Sequence, residues 1–244
     1  DPEYVVEEVV LMRLADRDGR LRLLTIKTGV DLTDAMTDYA RRRVGQLAGE
    51  DLSGYVLKKD SPSCGLERVK VYGAHGVPAR SGRGLFAAAL VDRHRFLPVE
   101  EEGRLSDPRI RDNFIERVFA YRRLRDLFAG RWTVGGLVRF HTAHKLTLMA
   151  HSPKAYRALG QLVARAKGLA RPEVEARYTE GFMTALETIA TPRRHANVLQ
   201  HMAGYFKTTL DEASRAELQA AIEDYRAGLV PLVVPITLFR HHVR

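Results

Sequence analysis

Along the first hundred residues, short apolar runs alternate with longer stretches whose apolar positions recur every three to four residues. Residues 21–26, 54–57, 69–72 and 96–99 have the length and branched side chains of strands. Residues 31–47 set Leu32, Met36, Tyr39, Val44 and Leu47 on one stripe, which predicts a helix with Asp31 or Thr33 as N-cap. Residues 84–93 predict a second helix around Leu85-Phe86-Ala87-Ala88-Ala89-Leu90. Strands alternating with helices imply an α/β domain with a mostly parallel sheet.

After Glu100-Glu101-Glu102-Gly103, a charged break followed by Ser106-Asp107-Pro108, the strand pattern stops. The domain boundary is placed there, giving residues 1–103 and 104–244. The second part reads as an all-helical domain. Residues 110–128 put Phe114, Val118, Tyr121 and Leu124 on one side. Helices over 137–151 and 154–166 follow, split at Ser152-Pro153, and another over 172–190 opens with Pro in its first turn. Thr191-Pro192 starts a helix expected to run to about residue 210, and 211–227 is a surface helix ending at Gly228. Residues 231–236, apolar and interrupted by Pro231 and Pro235, are expected to be extended or broken.

Composition narrows the function. Hydrophobic residues make up 45% of the 244, enough for real cores, and no apolar run approaches the roughly 18 residues that span a bilayer. The opening DPEYVVEEVV is acidic and lacks the flanks of a signal peptide. One cysteine excludes an internal disulfide framework, so a cytoplasmic location is expected. The net charge of +9 is unevenly spread. Residues 1–103 hold 16 Lys/Arg against 17 Asp/Glu, and residues 104–244 hold 23 against 13. A basic second part suits a polyanionic partner such as nucleic acid.

The candidate chemistry begins at Cys64, in a Ser61-Pro62-Ser63-Cys64-Gly65 turn that follows a predicted strand. Loops in that position carry the sites of open α/β sheets. A thiolate there suits a nucleophile, a redox thiol or a metal ligand, and Lys58, Lys59 and Arg68 lie close in sequence to favour it. In the helical part, His141, His144 and His151 fall within about 80° on one predicted helix face, with Lys145 and Lys154 alongside. No carboxylate lies between Trp132 and Leu169, which argues against zinc. That face either packs against neighbouring helices or offers basic contacts to phosphate and sugar. Arg193, Arg194 and His195 open a predicted helix, where backbone amides and the helix dipole favour an anion. Asn197, His201 and Tyr205 then share one face, and Lys207 extends the charge.

The blocks "LKKDSPSCG", "VKVYGAHG" and "SGRG" resemble the thiouracil desulfurase (TudS-like) domain. From "EEEGRLSDPRIRDNFIERVF" onward the chain resembles the YbgA-like helical domain, in "FHTAHKLTLMAHSPKAYRALG", "TPRRHANVLQHMAGYFK" and "YRAGLVPLVVPITL". The fusion is similar to bacterial enzymes of the RudS type, which remove sulfur from 4-thiouridine in tRNA. The resemblance implies a 4Fe–4S cluster on three cysteines, with Cys64 as the third ligand and Ser61 handling a proton or bonding the substrate. It also implies that the helical domain binds thiolated tRNA through its Arg, Lys and His side chains. The family carries two further cluster cysteines and a catalytic glutamate in an N-terminal segment, with Cys-Leu-x-Gly and Cys-Pro-Glu motifs that these 244 residues lack. The expectation is that this segment is omitted from the numbered chain. A desulfurase acting on free thiouracil, and an RNA-binding protein without catalysis, are the competing readings.

Overall fold

The computed structural model describes residues 11–73 and 76–243. The acidic opening, and Ala74 and His75 of the "VKVYGAHG" block, lie outside the described residues. Two compact units, Asp1–Arg122 and Arg123–Arg244, make up the chain. They divide within a helix.

The first unit is α/β, as its alternating pattern predicts, but its main sheet is mixed. β1 (Met12–Arg17) and β2 (Arg20–Thr25) form an antiparallel hairpin with Arg17 opposite Arg20. Its turn residues Asp18 and Gly19 both have positive φ, 54° and 75°, the left-handed pair that a two-residue hairpin needs. β1 pairs parallel with β4 (Val69–Tyr72), and β4 pairs antiparallel with β5 (Pro78–Gly82), giving the order β2-β1-β4-β5. A separate parallel pair joins β3 (Tyr55–Leu57) to β6 (Val99–Glu101). The last strand therefore starts where residues 96–99 were expected to end.

Two helices cover these strands. α1 (Thr33–Leu47) buries Ala40, Val44 and Leu47, while Tyr39, expected on the buried stripe, is exposed. α2 (Leu85–Arg93) buries Phe86, Ala87 and Leu90. These six side chains meet Leu57, Leu97 and Val99 in one core, and Cys64 packs half-buried against it. At the start of α1, Asp31 accepts the amide and hydroxyl of Thr33 without capping the helix in the usual way.

α3 (Pro108–Phe128) runs through the division between the units. The second unit is helical throughout, in α4 (Val134–Ala143), α5 (Lys145–His151), α6 (Pro153–Arg165), α7 (Arg171–Glu187), α8 (Pro192–Gly204), α9 (Glu212–Arg226) and α10 (Val233–His242). Side-chain caps set four of the starts. Thr133, Ser152, Thr191 and Asp211 accept the amides of Gly136, Ala155, Arg194 and Ser214. Phe140 packs edge to face on Tyr178 and Phe182, which stack on each other. A second cluster joins Ala196 and Leu199 of α8 to Leu218, Ile222 and Tyr225 of α9 and Phe239 of α10.

Three expectations change here. The helix over 137–151 is two helices, because the chain leaves helical geometry at His144 (φ −99°, ψ 9°). α8 stops at Gly204 rather than near residue 210. Residues 233–236, within the stretch expected to be extended or broken, begin α10. Pro235 is the third residue of that helix, where the backbone N–H it lacks has no partner within the helix.

Candidate active site in the cysteine turn

Residues 61–65 form a single helical turn built on the Ser-Pro signal that also starts α6. Ser61 occupies the cap position. Its Oγ accepts the Cys64 amide at 3.2 Å and the Ser63 amide at 3.4 Å, and its carbonyl accepts the Gly65 amide at 2.8 Å. Pro62 takes the first position, where no N–H is needed. The turn therefore fixes the cysteine backbone before any distant contact is made.

Distant contacts then hold the turn in place. The Ser63 carbonyl accepts the amides of Phe86 (2.9 Å) and Ala87 (3.2 Å), and so satisfies the exposed N–H groups at the start of α2. The Gly84 amide donates to the Gly65 carbonyl at 2.8 Å. The approach is so close that a Cβ on Gly84 would lie 2.3 Å from the Ser63 carbonyl carbon and 2.7 Å from the Cys64 nitrogen. A Cβ on Gly65 would lie 2.3 Å from Val69 Cγ2 and 2.8 Å from the Ser61 carbonyl oxygen. Both glycines are required by space.

The third tie comes from the acidic run. Read from the sequence as part of a charged break between domains, Glu100 and Glu101 are buried and lie in β6. Glu101, 3% exposed, takes the Leu66 amide on Oε1 at 2.7 Å, with the Glu67 amide at 3.4 Å. Glu100 accepts Arg104 Nε at 2.7 Å and the Glu101 amide at 3.0 Å. Exposed Glu102 accepts the Lys59 amide at 2.6 Å and pairs with Lys58 Nζ at 3.0 Å, bonds that hold its carboxyl below the usual carboxylate range. Lys58 is thus engaged by Glu102. The aliphatic stem of Lys59 lies over Gly103, whose absent side chain leaves it room.

Around the sulfur itself, Ser63 Oγ lies 3.4 Å from Cys64 Sγ and 3.1 Å from Ser61 Oγ. Ser61 thus reaches the sulfur through Ser63, and Ser63 is the hydroxyl that touches it. Tyr55 lies in the same core; burial first, then the nearby Cys64, raises its phenol above the usual 10. A half-buried thiol beside two linked hydroxyls can meet a sulfur-bearing carbon or donate a hydrogen bond to its sulfur while protons pass along the hydroxyls.

The 4Fe–4S expectation meets a different donor set. Such clusters take four ligands, mostly thiolates. Cys64 is the only cysteine in the 244 residues, and among the described residues no three His, Cys, Asp or Glu gather to hold a metal. These residues do not by themselves fit a cluster, since Cys64 could offer one thiolate at most.

The residues expected to meet RNA separate into two groups. His144 and His151 are buried and join the packing rather than a surface. His144 stacks on Phe140 at 4.1 Å, and its ring nitrogen bonds the Phe140 carbonyl at 2.9 Å. His151, 2% exposed, donates from Nδ1 to the Thr188 carbonyl at 2.6 Å. His141 is half-buried, stacked on Tyr156 and bonded to the Tyr178 hydroxyl at 3.1 Å; burial, then His144, lowers its pKa. His195 is partly buried against the Tyr225 hydroxyl at 2.8 Å. The single His141–His144–His151 face does not form, because the helix breaks at His144.

Lys154, Arg193, Asn197, His201 and Lys207 are exposed. His201 bonds Tyr205, whose hydroxyl also receives Lys145 Nζ at 3.4 Å. Thr191, Arg193, Arg194, Asn197 and Gln200 line a groove of about 510 Å³ with Arg226 of α9, a residue the sequence did not single out. Arg194 also donates to the His151 carbonyl at 2.8 Å, which ties the groove floor to the buried histidine.

Comparison with known proteins gives both halves a family. Residues 8–102 match the 2-thiouracil desulfurase family, and residues 145–244 match a family described as a protein of unknown function (DUF1722). Uncharacterized protein YbgA of Escherichia coli (strain K12) is 35% identical over 136 residues, covering 55% of this chain and 80% of that protein. The chain belongs to the YbgA family. It joins a YbgA-like helical part to a desulfurase domain that contains the whole cysteine turn. No solved structure matches the chain. Among the described residues, no helix is long and apolar enough to cross a membrane.

Proposed function

We propose that this protein removes sulfur from a thiolated uracil base, 4-thiouridine, carried in tRNA. The reaction exchanges a thiocarbonyl for a carbonyl: the carbon–sulfur bond breaks, water supplies the new oxygen, and sulfur leaves as hydrogen sulfide. The exchange is redox-neutral overall. One observation carries the reading: Cys64 stands in a backbone-fixed turn within the residues that match the 2-thiouracil desulfurase family.

In this reading Cys64 is the group at the sulfur, and Ser63, bridged to Ser61, supplies and accepts protons beside it. The family resemblance supports an iron–sulfur cluster to which Cys64 would give one thiolate. The basic second unit supports tRNA as the carrier, with the arginine groove at the start of α8 as the phosphate contact. A tRNA substrate places the reaction in the cytoplasm.

Free 2-thiouracil is the second reading, favoured by the name of the matching family. Sulfide release separates the two. The proposal expects release from tRNA containing 4-thiouridine, suppressed by salt, and little from free 2-thiouracil. Equal turnover of both substrates at any salt concentration would contradict the tRNA part. Tight, salt-sensitive tRNA binding with no sulfide from either substrate would make this an RNA-binding protein. Iron and acid-labile sulfide, counted after anaerobic preparation, test the cluster.

A further inference from the structure

We propose that Glu101 is the positioning residue of the cysteine turn, holding Cys64 in its reactive placement through the backbone on the far side of Gly65. The inference rests on Cys64 being the reacting thiol, and it assigns a role to a carboxylate well separated from it in sequence.

Strand register puts Glu101 where it is needed. β3 and β6 run parallel with Leu57 opposite Glu101, so Glu101 lies level with the last residue of the strand that leads to the turn. It is buried, and a buried carboxylate requires donors. Its Oε1 receives the amides of Leu66 and Glu67, the residues that follow Cys64-Gly65. Ser61 fixes the entry side of the turn and Glu101 fixes its exit. Arg104 reinforces this end, binding Glu100 through Nε and Glu67 at 3.4 Å.

The loop needs such external ties. Asp60 and Arg68, at its two ends, both have left-handed backbone, with φ of 55° and 58°. Neither is glycine, and this conformation is unfavourable for residues with a Cβ. A segment strained at both ends keeps its shape only if contacts from elsewhere over-determine it. Removing Glu101 leaves the Ser61 cap in place and releases the chain beyond Gly65. The half-buried sulfur then loses its fixed position against the α1–α2 core.

Alkylation by a maleimide, read by mass spectrometry on the peptide that holds Cys64, reports on this thiol alone. At native pH and well below the unfolding transition, Glu101→Ala is expected to speed alkylation about tenfold, the scale of losing a charged hydrogen bond. Glu101→Gln keeps an acceptor oxygen and should return the rate to within about threefold of the parent. Leu23→Ala destabilises the first unit through a separate cluster and should leave the rate near the parent value. Equal acceleration by Glu101→Ala and Leu23→Ala would overturn the proposal, since the effect would then be general loosening.

If Glu101→Ala does not fold, hydrogen exchange on Glu101→Met, which fills similar space without an acceptor, carries the test. The Leu66 and Glu67 amides should exchange faster while the Gly65 amide, bonded to Ser61, does not change. Unchanged exchange at Leu66 and Glu67 would overturn the proposal. Neither readout involves desulfuration. A protein that passes these tests but releases no sulfide would refute the proposed reaction and leave the positioning role standing.

Discussion

Gly84→Ala tests the docking of α2 on the cysteine turn, and the sign of its effect follows from space alone. Gly84 sits at φ −64° and ψ 148°, extended backbone that alanine adopts freely. The added methyl would lie 2.3 Å from both the carbonyl carbon and oxygen of Ser63, backbone atoms that no rotamer change can move aside. The helix start must therefore withdraw, and the bonds from Phe86 and Ala87 to Ser63 and from Gly84 to Gly65 lengthen together. Overpacking costs about 1–3 kcal/mol and each weakened bond about 1 kcal/mol. A partial loss of both comes to about 3 kcal/mol, a fall of about 10 °C in Tm for a unit of this size. Gly45→Ala is the matched control. A Cβ there meets nothing within 4 Å, and the residue lies inside α1, so the same change should stabilise by about 1 kcal/mol. Thermal unfolding followed by circular dichroism measures both. A shift below about 2 °C for Gly84→Ala would refute the close approach of helix and turn.

Other expectations concern the sulfur, the histidines and the arginine groove. Ser63→Ala removes the hydroxyl beside Cys64 while keeping the backbone carbonyl that caps α2, so sulfide release should fall about tenfold or more with Tm nearly unchanged. His151→Leu leaves the Thr188 carbonyl without its ring donor and should cost about 1–3 kcal/mol in urea unfolding. His141 has its folded pKa below the unfolded 6.5, so between those values the unfolded chain binds more protons than the native one. Its contribution to stability is complete above pH 6.5 and declines as pH falls toward the folded pKa; His141→Gln should flatten that slope in urea titrations at pH 5 and pH 8. Arg193→Ala with Arg226→Ala should weaken tRNA binding and lower its salt dependence by about two phosphate contacts, read by titration at several salt concentrations.

What could be read from the sequence follows the range of the interactions involved. Helix starts at Ser152-Pro153, Thr191-Pro192 and Asp211 rest on contacts three residues apart, and those elements formed where expected. The turn that presents Cys64 uses the same Ser-Pro device, so its place after a strand was legible too. Of the β1–β2 hairpin the sequence shows the second strand, over 21–26, and not the first; Asp18-Gly19 announces the turn, but Arg13, Asp16 and Arg17 interrupt the pattern around Leu14. The acidic run misled for the opposite reason. Whether Glu100 and Glu101 face solvent depends on Leu66 and Glu67, some 35 positions away, and on Arg104, so three adjacent carboxylates looked like a linker. His144 and His151 matched a surface stripe by spacing, yet their ring nitrogens bond backbone carbonyls inside the fold. Ser63, Glu101 and Arg226 carry no local signal that separates them from their neighbours; pairing of distant strands and helices sets their roles.

The most direct test of the account is sulfide release from tRNA containing 4-thiouridine, comparing the parent protein with Cys64→Ser under anaerobic conditions. The account predicts one sulfide per uridine formed in the parent and none above background in the variant, with tRNA affinity preserved. Undiminished release from Cys64→Ser would show that the sulfur chemistry lies elsewhere and would contradict the assignment of this turn.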